Sequence, residues 1–268
     1  MAYVPHPDRR PALICGASSG IGASTAEMLA AAGYPVALAA RRVNKLQEIV
    51  DRITSAGGEA VAVPLDVTDA ASVTECVAKA QAALGDLEIV VNGAGDVHFA
   101  KSFEVTPEDF AAQVDIHLLG AFRVYRAVIN GMIERGRGDI VFIGSDVAQE
   151  HRPWMAAYGA AKIGLDALAS TAQLELEGTG VRVGVIRPGQ VITGMGMDLD
   201  PVVGEKMLSD WVRYGFARNS NFLRPEHIAQ AITTIVGMPR GAHMRAVEVE
   251  AEGAIPKRSK KATEGGGK

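Results

Sequence analysis

The sequence predicts a doubly wound α/β domain: a mostly parallel sheet of seven strands with helices on both faces. Three observations carry that expectation. Short runs rich in β-branched residues alternate with longer segments of helical period. The early runs are apolar throughout rather than at every second position, as strands covered on both faces are. The 268-residue chain is 48% hydrophobic but only 5% aromatic, so Ala, Val, Leu and Ile must build the interior, which suits close helix-on-sheet packing.

The strand runs fall at 12–14, 36–38, 60–63, 88–91, 139–143, 181–186 and 246–249. Helical segments are expected near 20–32, 43–56, 69–84, 106–135, 153–177 and 225–237, several entered by Asp, Thr or Pro as a helix start requires. The interval 189–221 breaks this rhythm. It has no strand signal yet carries Met195, Met197, Leu199, Val203, Met207, Leu208, Trp211 and Phe216. A helical insertion over the carboxyl edge of the sheet is expected there. It reads either as a substrate lid or as an amphipathic pair packed on the core. One domain over 11–253 is the expectation, with a flexible segment 1–10 and a basic tail 254–268.

The formal charge of −4 conceals that tail: residues 254–268 hold five Lys or Arg against one Glu, which leaves the body at −8. Three consecutive glycines and few apolar residues mark the tail as disordered rather than as a nucleic-acid or membrane anchor. No nucleic-acid partner is expected of an acidic body. Residues 1–11 hold three prolines and no apolar run long enough for a signal peptide, and 28–40 is far short of the roughly 20 residues that span a bilayer. Cys15 and Cys76 lack metal or CxxC spacing and are expected to be reduced thiols, which points to the cytoplasm. No HExxH or paired histidine spacing occurs, so no metal is expected.

After the first strand comes Gly16-Ala17-Ser18-Ser19-Gly20-Ile21-Gly22, with a helix directly behind. Glycines in such a turn permit tight curvature and close approach of a pyrophosphate, whose charge the helix N-terminus meets. At the end of the second strand, where a carboxylate would bond the ribose hydroxyls of NAD, stand Arg41 and Arg42. Guanidinium groups there can hold the additional phosphate of NADP, Arg41 being the preferred candidate. Asp66 and Val67 follow the third strand. Asp66 is suited to accepting from the adenine amine or to capping the next helix.

Tyr158 and Lys162 are spaced i and i+4, hence on one helix face, and Ser145 follows the fifth strand at the carboxyl edge. The three are expected to converge. A phenol can deliver the proton that a carbonyl oxygen needs when hydride adds. Bringing its pKa from 10 to neutrality requires on the order of 4 kcal/mol of preferential phenolate stabilisation, a direction in which a Lys162 ammonium acts. Ser145 would donate a hydrogen bond to the substrate oxygen.

With these residues in place, the chain over about 12–250 resembles a classical short-chain dehydrogenase/reductase, a Rossmann-type fold. The glycine loop matches that family's cofactor loop, and Asn92-Gly93-Ala94-Gly95 resembles its Asn-Asn-Ala-Gly motif. Pro188-Gly189 with Val191 and Thr193 resembles the segment that holds the nicotinamide carboxamide. The resemblance implies that Ser145, Tyr158 and Lys162 are catalytic and that Lys162 binds the nicotinamide ribose. It implies an NADP(H)-dependent oxidoreductase acting on a carbonyl or secondary alcohol, and a homodimer or homotetramer packed through 106–135 and 153–177.

Three departures stand out. Cys15 replaces a usual Thr and Gly93 a second Asn. His117 occupies the place of the family's fourth catalytic residue, an Asn that helps hold a water in the proton relay. His117 is either a relay group or a buried structural histidine. His151 and Trp154, between the serine and the tyrosine, line a substrate pocket or the surface, and Asp96, His98 and Phe99 read the same way. Met195 and the methionine-rich interval suit a bulky apolar substrate, with a sugar or polyol as the rival. A cofactor-binding sensor or scaffold with little turnover is the alternative from another class.

Overall fold

The computed structural model describes residues 8–196, 199–217 and 221–253. The basic tail 254–268, Met197 and most of the N-terminal segment lie outside them. Seven strands form one sheet: β1 (Ala12–Cys15), β2 (Val36–Ala40), β3 (Ala60–Pro64), β4 (Ile89–Asn92), β5 (Gly138–Ile143), β6 (Val181–Pro188) and β7 (Ala246–Val249). Their order is β3-β2-β1-β4-β5-β6-β7 and every pairing is parallel, so the sheet is wholly rather than mostly parallel. The strand order reverses between β1 and β4, which opens a crevice at the carboxyl ends.

The apolar character of β1 has a direct cause. Leu13 and Cys15 enter the core on one face, Ala12 and Ile14 the core on the other. The first face is covered by α3 (Ala70–Leu84), α5 (Gly120–Glu134) and α6 (Ala156–Glu175), which bring Cys76, Met132 and Leu165. The second is covered by α1 (Gly20–Ala31), α2 (Val43–Ser55) and α8 (Pro225–Gly237), through Leu29, Leu46 and Ile232. All six of these side chains are almost fully buried. Each such burial contributes about 1.5–3 kcal/mol for the larger aliphatics.

The segment expected as one helix over 106–135 is divided. α4 (Pro107–Val114), entered at Thr106 whose hydroxyl accepts from the Asp109 amide, runs into a π-helical stretch, Asp115–Leu119, before α5 begins. A π turn inserts a residue without breaking the helix, and the periodic pattern of apolar residues carries through it. His117 lies in that turn and is buried.

The interval 189–221 holds a single described helix, α7 (Pro201–Arg213), rather than a pair. Asp200 caps it by accepting from the amides of Val202 and Val203. None of its residues is buried. Among the described residues no helix is long and apolar enough to cross a membrane.

Candidate active site

A crevice of about 760 Å³ lies along the carboxyl ends of the strands. At one end the glycine loop is folded tightly on its neighbours. Gly16 has φ +81°, and a Cβ there would fall 2.6 Å from the Gly93 carbonyl oxygen, while one on Gly22 would collide with the Gly16 carbonyl. Neither position admits a side chain without moving backbone. The first turn of α1, with Gly20 and Ile21, opens on the crevice, as do Ser18 and Ser19.

Arg41 and Arg42 both line this end. The guanidinium of Arg42 donates to Ser18 Oγ at 2.9 Å and Ser19 Oγ at 2.8 Å, so Arg42 rather than Arg41 is fastened across the loop. Asp66 and Val67 form the facing wall. Asp66 Oδ1 accepts from the Thr68 amide and hydroxyl at 3.0 and 2.7 Å, bonds that hold its carboxyl below the usual range. Asp66 does not cap the next helix: Asp69 does, accepting from Ala71 N at 2.9 Å.

The other end brings Ser145, Tyr158 and Lys162 together, all three buried and all lining the crevice. Ser145 follows β5 directly, and the other two project from the first two turns of α6. Burial pushes the Tyr158 phenol up to about 12, against a downward pull from its hydrogen bond with Ser145. Lys162 Nζ donates to the Ile143 carbonyl at 2.7 Å and lies 5.5 Å from the tyrosine ring centroid. Burial brings its ammonium down to about 8, opposed by the charge of Asp166. The expected lowering of the phenol by Lys162 does not emerge: burial is the largest influence on it, and the downward pulls come from Ser145 and Arg152.

His117 packs edge-on against Tyr158, ring centroids 5.0 Å apart. Its Nε2 pairs with the Asp96 carbonyl at 2.5 Å, which makes Nε2 the protonated nitrogen and leaves Nδ1 as a buried acceptor without a partner among the described residues. Burial, with the Lys162 charge, lowers its pKa to about 3, so the ring is neutral. The Cε1 edge of the imidazole lies against Gly95, where a Cβ would overlap it.

Gly93, Ala94, Gly95, Pro188, Gly189, Val191 and Thr193 also line the crevice. At Gly93 a Cβ would sit 2.6 Å from Ile143 Cδ1, so a second Asn there would require the end of the Ile143 side chain to shift. Three expected residues do not reach the crevice. Asn92 is buried behind it, His151 is exposed with a ring nitrogen 3.1 Å from the Val147 carbonyl, and Trp154 is buried elsewhere. Trp154 adopts φ +72°, a left-handed conformation rare for a bulky residue, and its indole donates to Asp210 Oδ2 at 2.8 Å. Trp211 answers by donating to the Pro153 carbonyl at 3.0 Å. Trp154 therefore fastens α7 instead of lining a pocket. Met195, Asp96, His98 and Phe99 do line the crevice. So do Ile116, Leu199 and Asp200, of which Ile116 and Asp200 were not anticipated as site residues; Asp200-Pro201 is legible only as a helix start.

The comparisons with known proteins agree with this geometry. Residues 10–203 match the family model described as short chain dehydrogenase. The chain is 32% identical over 240 residues to the glycine betaine reductase ATRR of Emericella nidulans, covering 89% of this chain but only 18% of that much longer protein. It is 30% identical to a 3-oxoacyl-[acyl-carrier-protein] reductase of Synechocystis, with 91% of this chain and 96% of that one aligned. Among solved structures, an alcohol dehydrogenase from the archaeon Thermococcus sibiricus, complexed with 5-hydroxy-NADP, superposes with a TM-score of 0.79 at 30% identity, covering 93% of this chain and all of that one. With the matched model extending over most of the chain, the glycine loop and the Ser145, Tyr158 and Lys162 cluster stand in one crevice because this protein belongs to the short-chain dehydrogenase family.

Proposed function

We propose that the protein is an NADP(H)-dependent oxidoreductase that interconverts a carbonyl compound and its secondary alcohol. The observation that carries this reading is a single crevice with a glycine loop and two arginines at one end and Ser145, Tyr158 and Lys162 at the other. The crevice fits a nicotinamide dinucleotide. The backbone at Gly16 and Gly22 leaves no room for side chains, so a pyrophosphate can approach the α1 N-terminus closely. Ser18, Ser19, Arg41 and Arg42 are the groups for the phosphate that distinguishes NADP, and a structural relative was solved with an NADP derivative.

The bound cofactor supplies or accepts hydride. This chain's residues manage the oxygen and its proton. Tyr158, with its phenol held near 12, keeps its proton through the neutral range and serves as the acid in reduction. Ser145 donates to the substrate oxygen as charge builds there. Lys162 keeps its charge below about 8, where it binds the ribose and stabilises phenolate as it forms. His117 stands in for the family's Asn as an uncharged acceptor at Nδ1 and as a strap on the loop after β4. Val97, Phe99, Met195 and Leu199 give the substrate end an apolar lining, which favours a bulky apolar carbonyl compound. The segment 189–221, fastened by the two tryptophans, acts as its lid within one domain over 11–253.

Leu119, Phe122 and Ile163 are exposed on the π-helical stretch, α5 and α6, which supports a homodimer or homotetramer packed through those elements. Buried free thiols at Cys15 and Cys76, the former pushed well up by burial, are in keeping with a cytoplasmic protein. The test is a screen of NADPH oxidation over carbonyl compounds graded in size and polarity, with the Tyr158→Phe protein as blank. Turnover that favours large apolar ketones and vanishes in the variant supports the proposal. NADPH binding without turnover on any compound would favour the sensor reading instead.

A further inference from the structure

Behind the serine, and outside the crevice lining, lies a buried ion pair that the proton chemistry does not use. Asp146 opens the short 3-10 turn Asp146–Ala148 that leaves β5. Ser145 Oγ donates to Asp146 Oδ1 at 3.1 Å and accepts from the Val147 amide at 3.3 Å. Asp146 Oδ2 is held by the Arg152 guanidinium, and both side chains are only 8% exposed. The guanidinium in turn lies 5.9 Å from the Trp211 ring of α7 and 6.0 Å from the ring of Phe216.

Burying two charges costs more desolvation than a pair of this kind returns in stability, whereas apolar residues of like size would pack at no such cost. The pair sits where a charge has a specific effect on the reacting group. The Asp146 carboxylate and the Val147 amide both bind Ser145 Oγ, and together they fix where that oxygen stands beside Tyr158. Without the charged pair the side chain is free to turn to another rotamer, and a substrate oxygen then meets a hydroxyl that is out of place.

We propose that Asp146 and Arg152 are positioning residues that fix the Ser145 hydroxyl, and that the aromatic face of the lid segment seats Arg152 for that task. The inference rests on the functional reading above. Neither residue touches substrate or cofactor; both act through Ser145.

The test compares the wild type, Tyr158→Phe, the double variant Asp146→Asn/Arg152→Gln, and that double variant combined with Ser145→Ala. NADPH oxidation is followed with acetophenone and cyclohexanone, and with the fastest ketone of the screen. The double variant removes both charges together and so leaves no unpaired buried ion to unfold the chain. It is expected to melt like the wild type, to keep its KM for NADPH, and to lose about tenfold in kcat. In the Ser145→Ala background the same two changes are expected to have no further effect on residual turnover. A double variant with wild-type kcat overturns the inference, and so does an equal loss with and without the serine. Tyr158→Phe keeps the two failures apart. If it is inactive while the double variant is unimpaired, only this inference falls; if the wild type turns over no ketone, the functional reading falls and takes this with it.

Discussion

The two edges of the sheet treat buried polarity in opposite ways. At the amino ends of the strands, Asp139 of β5 is gripped by Arg10 and by Arg182 of β6, whose guanidinium donates at 2.5 and 2.9 Å. The remaining donors of these arginines are taken up as well: Arg10 Nε donates to Glu88 Oε2 at 3.3 Å and its other nitrogen to the Val236 carbonyl, while Arg182 donates to the carbonyls of Met238 and Ala242. At the carboxyl ends, Tyr158, Lys162 and His117 are as deeply buried, yet all three face a crevice and His117 Nδ1 has no partner among the described residues. Polar burial costs a few kcal/mol per group unless it is satisfied. The amino edge offsets that cost internally, while the carboxyl edge leaves capacity that a ligand can take up.

Mutations should separate the two edges cleanly. Tyr158→Phe is expected to lower kcat by about 1000-fold, some 4 kcal/mol in barrier, with the melting temperature unmoved. Steady-state kinetics beside a thermal melt checks both halves of that statement. Asp139→Asn should do the reverse: it takes the carboxylate partner from Arg182 and leaves Arg10 with Glu88 alone, and is expected to cost about 3 kcal/mol of stability in a urea titration, with kcat/KM unchanged in the folded protein. Loss of turnover without loss of stability there would erase the distinction.

Arg41→Asp sharpens the comparison inside the crevice. Reversing the Arg41 charge at the glycine-loop end of the crevice is expected to shift the NADPH-to-NADH preference by roughly thirtyfold, about 2 kcal/mol. An unchanged ratio with a large effect from Arg42→Asp would assign the phosphate to Arg42 alone, in line with its bonds across the loop.

The smallest effect concerns His117. Its folded pKa, about 3, lies below the ordinary 6.5, so the unfolded chain binds the additional proton between those values. Its contribution to stability is complete above pH 6.5 and is lost as pH falls toward 3. Between neutrality and about pH 5.5 that amounts to about 1 kcal/mol, and His117→Asn should remove this part of the acid sensitivity in denaturation curves taken along the pH series.

Much of this was legible in the residues. Strands with apolar side chains on both faces can lie only between two helical layers, and the glycine loop and the Tyr158 and Lys162 spacing are local patterns whose meaning depends on few neighbours. The π turn at Asp115–Leu119 was not legible, because an inserted residue leaves the apolar period nearly intact. Trp154 was misplaced for a different reason. Its position between Ser145 and Tyr158 suggests a pocket wall, but its φ of +72° and its bond to Asp210, 56 residues away, direct the indole to α7.

By itself the sequence determined the layer architecture, the glycine turn and the choice of Ser145, Tyr158 and Lys162 as candidates, since each follows from periodicity or from chemistry carried within a few residues. Only the tertiary structure decided what each group's environment does to it. Burial raised Tyr158, lowered Lys162 and kept His117 neutral, and long-range partners set Arg42 on the serines and Arg152 on Asp146. Desolvation and charge pairing depend on what surrounds a side chain in space, and that is settled only when distant segments pack together.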